Sequence, residues 1–203
     1  MNLVNKYKIM KKLLVIVVLG LFLIIPSKAD DIQDFEIEGM SLGSSALTIF
    51  TKSYIDSKGK LGYPNKKFKL ATLKSDKFEI YDDIQIHYLS NDSKYIIHSI
   101  SANIDFPNNI SDCLRQKKEI NEEIESLFVN AKRDDWGKRV LKNVDPSLET
   151  YAYQNIYWLD GGNIIVSCRD YGQTLQNEGH VDYLAIMADS KFFVDWLNSE
   201  AFK

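Results

Sequence analysis

The chain has little to do chemistry with: three histidines, two cysteines, serines at one glycine-rich turn and a few carboxylate pairs. A catalytic serine needs a base and an orienting acid within hydrogen-bond reach. Leu42-Gly43-Ser44-Ser45 offers serines at what reads as a helix start, but Gly-x-Ser-x-Gly is absent. Capping and solvent exposure explain these serines. His87, His98 and His180 all fall in strand-like stretches, and the register that aligns the flanking isoleucines sets His98 opposite Ile86 rather than His87. A zinc site from these histidines with Asp182 lacks the close ligand spacing of structural sites, so neither a metal nor a cofactor is expected. Asp82-Asp83, Glu122-Glu123 and Asp134-Asp135 are adjacent pairs whose side chains diverge on a strand or helix, which reads as solvated surface. Weak calcium binding in the acidic loop from Lys132 to Asp135 is the sharper alternative.

Two features carry more. Tyr151, Tyr153, Tyr157 and Trp158 crowd one strand, and alternation puts the tyrosines on one face and Trp158 on the other. Core packing is the ordinary explanation, and a ligand or partner surface is the sharper one. Cys113 and Cys168 are read as a disulfide rather than as two buried thiols, because the chain opens with an export signal. Such a bridge should stabilise the fold by about 4 kcal/mol on the chain-entropy view.

That signal is residues 1–29. Lys6, Lys8, Lys11 and Lys12 form a basic head, Leu13 to Ile25 is apolar except for Gly20, and Ser27-Lys28-Ala29 supplies a small-residue cleavage site. The run is short of the ~20 apolar residues that span a bilayer. Retention as an uncleaved membrane anchor is the alternative. Removing the signal leaves 20 basic and 28 acidic side chains, a formal charge of −8. This excess argues against nucleic acid and anionic membrane surfaces as partners. Asn91-Asp92-Ser93 and Asn109-Ile110-Ser111 match glycosylation acceptors, which matter only in a eukaryotic secretory route.

The elements that must position these residues follow from periodicity. Ile110, Cys113, Leu114, Ile120, Ile124, Leu127, Phe128 and Ala131 form one helical stripe from Asn109 to Ala131, with Arg115, Lys118, Glu119, Glu122 and Glu125 facing water. Upstream, the sequence predicts a short helix from Ser41 to about Ile55, a loop at Lys58 to Asn65 and a strand at Phe68 to Leu73. Ile84 to Leu89 and Tyr95 to Phe106 form a hairpin. Tyr151 to Leu159 and Ile164 to Asp170 form a second, turned at Asp160-Gly161-Gly162-Asn163, with Leu159 opposite Ile164 and Asn155 opposite Cys168. Lys132 to Leu148 reads as a charged linker, Gly172 to Gly179 as a polar loop, His180 to Ala188 as a strand and Ser190 to Ser199 as a closing helix.

The expected fold is therefore α+β, with helices packed on antiparallel β-sheet in a single domain over residues 30–203. A finer reading makes it two tandem helix-plus-strands units, about 34–106 and 107–203. Asp34-Phe35 and Asp105-Phe106 ahead of each helix support this, as does the echo of Tyr88 and Ile96-Ile97-His98-Ser99 in Tyr157 and Ile164-Ile165-Val166-Ser167, near seventy residues on.

Ile37-Glu38-Gly39-Met40-Ser41-Leu42-Gly43, with Asp112-Cys113 and Val166-Ser167-Cys168, resembles a group of uncharacterised exported bacterial proteins that share an IEGMS-type opening. The Gly-Met-Ser start followed by a hairpin also resembles small outer-membrane assembly lipoproteins and β-lactamase-inhibitor-like domains, which implies a helical pair on antiparallel sheet. The chain departs from the lipoproteins in lacking a lipidation cysteine. Together these features predict a periplasmic or secreted, non-enzymatic binding or envelope-associated protein. Its partner is an unidentified protein or small molecule, with no stable membrane insertion after cleavage. A hydrolase assembled from distant Ser, His and Asp residues is the alternative.

Overall fold

The computed structural model describes residues 31–203, so the leader expected at residues 1–29 lies outside the described residues. A β-ribbon of β1 (Glu36–Ile37) and β2 (Met40–Ser41) leads to helix α1 (Lys52–Lys58) and strands β3 (Gly59–Leu61), β4 (Phe68–Leu73), β5 (Asp83–Leu89) and β6 (Ser99–Asp105). Helix α2 (Ile110–Leu127) is followed by β7 (Lys132–Val140), β8 (Tyr151–Leu159), β9 (Gly162–Asp170), the short α3 (Gln173–Asn177), β10 (Tyr183–Ser190) and α4 (Lys191–Ser199). Eight strands form one antiparallel sheet in the order β3-β4-β5-β6-β10-β9-β8-β7. A helix and a four-stranded meander thus occur twice, and the two meanders meet at β6 and β10. Among the described residues no helix is long and apolar enough to cross a membrane.

The α+β expectation holds at the level of this antiparallel sheet and its helices. Alternation along the strands turns Ile84, Ile86, Ile100, Ile164, Val166 and Ile186 into one core, which Cys113, Ile120 and Ile124 of α2 share. Asn109 caps α2 by accepting the Asp112 amide through its side chain. Cys113 and Cys168 are joined as a disulfide. The other half of that core is closed by the N-terminal segment, through Ile37, Met40, Leu42, Phe50 and Ile55.

Several expectations are corrected. Ser41 caps no helix: Gly39, at φ +79°, turns the β1–β2 ribbon, and the first α-helix starts at Lys52, where the Thr51 hydroxyl accepts the Tyr54 amide. Leu127, the last residue of α2, keeps to the stripe beside Ile120 and Ile124 but is 53% exposed. The presumed charged linker begins instead with the nine-residue β7, which pairs along the whole of β8. Its charges hid it from a periodicity reading, yet charges are what an unprotected sheet edge needs. Trp136 is the extra residue of a bulge between Asp135 and Gly137. The strand expected from His180 to Ala188 starts later, at Tyr183, and the loop before it contains α3.

Both hairpins pair two residues away from the expected register, which preserves every face. Ile86 stands opposite Ile100, Asn155 opposite Val166 and Tyr153 opposite Cys168. In the second hairpin Asp160-Gly161 alone makes the turn, with only Gly161 at positive φ. Gly162 belongs to β9 and is needed for a different reason: a Cβ there would lie 2.1 Å from the Asp189 carbonyl oxygen of the neighbouring strand. The strand equivalent to β5 by position in its meander is β9, not β8, so the noted echo of Tyr88 in Tyr157 joins non-equivalent strands.

Candidate functional site

The sheet's two faces are treated differently. Helix α2 and the N-terminal segment close one. Helix α4, capped by the Ser190 hydroxyl on the Phe193 amide, returns over one end of the other and forms a satellite core of Phe68, Phe193, Trp196 and Ala201. Beyond that cluster, cross-strand partners continue in a row on the same face: Gln85, Ser101, Met187, Ile165 and Ile156. Met187 and Ile165, both half-buried, follow one another across β10 and β9, and Ile156 of β8, next in the row, is only 3% exposed. Trp158, two residues from Ile156 on this face, is 37% exposed. Its Nε1–H donates to Asp134 Oδ2 at 2.7 Å, and Asp134 is the cross-strand partner of Ile156, so the indole leans along the strand toward Ile156. A ring held in one orientation beside an apolar row can bury area on binding with little loss of side-chain freedom.

The four aromatic residues picked out from the sequence do not form one surface. Tyr157 is buried on the core face and its hydroxyl donates to Glu125 of α2 at 3.0 Å. Burial, then that bond, pushes the phenol above its ordinary range. Tyr153 packs against the core, and Tyr151 lies under the Lys138 ammonium at 3.7 Å. Only Trp158 belongs to the open face. The row beside it escaped sequence reading because its members come from separate strands whose register had first to be known.

A second arrangement bears on the hydrolase alternative. His87 Nδ1 lies 3.2 Å from Ser99 Oγ, His87 Nε2 lies 3.2 Å from the Tyr63 hydroxyl, and Asp189 hydrogen-bonds Ser99. A serine, a histidine and an aspartate are together, but in the wrong order. In a hydrolytic triad the histidine stands between nucleophile and acid, whereas here the serine does. Ser99 is 4% exposed. Burial alone lowers His87 to about 4, beneath the Phe193 ring at 4.6 Å, and burial raises the Asp189 carboxyl to about 6. The arrangement is a buried polar network that seats α4, and across from Asp189 the Asn163 Oδ1 atom has no partner among the described residues. His98 packs between Phe68 and Phe192, and His180 lies against Tyr171 at 4.9 Å, so neither serves a nucleophile.

Of the expected carboxylate pairs, Asp82-Asp83 and Asp134-Asp135 serve structure. Asp83 accepts from the Asn103 amide at 2.7 Å, Asp82 from the Asp105 backbone at 2.9 Å and Asp135 from the Gly137 backbone at 2.9 Å. Among the described residues no three His, Cys, Asp or Glu side chains converge to hold a metal. Between α2 and β8, the Lys117 ammonium and the Asn121 amide both donate to Asn155 Oδ1, and burial lowers Lys117 from its usual value. Compared with protein-family models, with curated proteins and with solved structures, the chain matches none.

Proposed function

We propose that this is an exported, non-enzymatic binding protein that engages its partner through the open face of the sheet. The observation that carries the reading is the exposed, hydrogen-bonded Trp158 on the same face as half-buried Ile165 and Met187, with Ile156 buried between the indole and Ile165. An antiparallel sheet commonly turns one face to water, but that face is then lined by polar residues. Two adjacent half-buried apolar side chains, Ile165 and Met187, and an oriented indole depart from that pattern.

Export is supported by the basic head and apolar run of residues 1–29 and by a disulfide, which persists in an oxidising compartment. Within this reading the two helix-plus-meander halves descend from one duplicated unit, and the resemblance to exported proteins with an IEGMS-type opening extends to an envelope role. The hydrolase alternative loses support from the order of His87, Ser99 and Asp189.

The test is a pull-down from the protein's own envelope extract with the exported protein, its Trp158→Ala variant and its Met187→Asp variant. One partner held by the parent and lost from both variants is the expected result. Equal capture by all three would overturn the use of this face, and turnover of a substrate panel by the parent would overturn the non-enzymatic reading.

A further inference from the structure

On the opposite side of the molecule, a recess of about 40 Å³ opens between α2 and the segment leading into β1. Ile120, Ile124 and Leu127 of α2 form one wall, Phe35 another and Ile186 the floor, while Glu36 and Glu123 stand with them in the lining. The volume suits one side chain rather than a free ligand, since pockets for small molecules run to about 300 Å³ or more. Leu127 and Val129, at the end of α2, are 53% and 58% exposed, which extends apolar surface beyond the recess.

The recess is also unfinished in its polar groups. Tyr81 lines it and is 9% exposed. Among the described residues neither Glu36 nor Glu123 joins an ion pair, and one oxygen of Glu119, a turn before Glu123, is buried without a partner. Glu119 and Glu123 are four apart on the same helix, where like charges repel. Burial, then the Glu119 charge, raises the Glu123 carboxyl, and burial with Glu38 and Glu123 nearby raises the Tyr81 phenol.

We infer that this recess docks a partner polypeptide through one aliphatic side chain flanked by lysine or arginine, the side chain filling the recess and the cation meeting Glu36 and Glu123. The apolar walls supply affinity, and the unpaired carboxylates select the sign of the neighbouring charge. This site is separate from the open face and stands or falls apart from it.

The test uses the exported protein at ~0.15 M ionic strength, where distant charges are screened, with a labelled 14-residue Leu/Lys helical peptide as probe and its Leu/Glu counterpart as control. The Leu/Lys peptide should bind at least about tenfold more tightly. Glu36→Gln with Glu123→Gln should cost about tenfold, the upper scale of two exposed charge pairs together, and Tyr81→Phe should weaken binding less. Glu149→Gln with Glu178→Gln, acids remote from the recess, should leave it unchanged. No binding, or equal loss from both glutamine pairs, would overturn the inference, as would loss on Trp158→Ala. Isopentylamine binding as tightly as the peptide would make this a small-cation site and also overturn it.

Discussion

Cys113 on α2 and Cys168 in β9 have Cα atoms 6.0 Å apart and are joined by the protein's disulfide, across 55 residues of sequence. The bridge fixes the middle helix to a central strand of the sheet. Both sulfurs are buried in the shared core, so the link restrains the unfolded chain without leaving a polar group exposed.

Replacing both cysteines, Cys113→Ala with Cys168→Ala, is therefore expected to lower stability by about 4 kcal/mol. Urea unfolding followed by circular dichroism measures it. A midpoint that is the same with and without reductant in the parent would contradict a stabilising bridge.

Gly162→Ala should be among the most damaging single-methyl changes in the chain. The added Cβ would meet the Asp189 carbonyl at 2.1 Å, and backbone on both strands would have to part. A loss of about 1–3 kcal/mol is expected, whereas Gly43→Ala, with no atom near the added carbon, meets only the strain of its positive φ. Thermal melts of the two variants compare steric clash with backbone strain directly.

The buried pair His87 and Asp189 titrates in opposite senses. Between the ordinary carboxyl value of 3.8 and about 6, the folded state holds a proton on Asp189 that the unfolded chain releases, so this group's contribution falls as pH rises through that window. Between about 4 and 6.5 the unfolded chain protonates His87 and the folded state does not, so this contribution falls as pH drops. Each is worth up to about 3 kcal/mol, and in the parent they largely offset. Asp189→Asn should unmask a loss of stability from pH 6.5 down to 4, and His87→Leu a gain over the same range. Denaturation midpoints at several pH values would show parallel profiles for all three proteins if the pair were not buried as described.

Lys117 places an ammonium between α2 and β8 against a neutral amide oxygen. Lys117→Met removes the desolvated charge, and Asn121 still donates to Asn155 Oδ1. The variant should be about 1 kcal/mol more stable. Asn155→Ala, which leaves the ammonium without its acceptor, should lose about 3 kcal/mol. Urea unfolding of both variants decides it, and a destabilised Lys117→Met would mean that the charge contributes more than its burial costs.

Much of the architecture was legible where one residue type forces one outcome. The α2 stripe, the Asn109 cap and the alternation that separates Trp158 from Tyr157 follow from short-range pattern, and the pairing of Cys113 with Cys168 from there being two cysteines behind an export-type leader. What escaped was set by partners distant in sequence. β7 becomes a strand because β8 offers it an edge, although its own residues are mostly charged. Ser41 had the chemistry of a cap but was drawn into a ribbon by the Gly39 turn. The site suffered most, because the row of Ile156, Ile165 and Met187 exists only once three strands are in register.

The most direct test of the binding reading is site-specific photo-crosslinking in the intact envelope, with the reactive group at position 187 on the open face or at position 118 on the solvent side of α2. The expected result is one defined adduct from position 187, abolished by Trp158→Ala, and none from position 118. A bare position 187, or the same adducts from both sites, would contradict it.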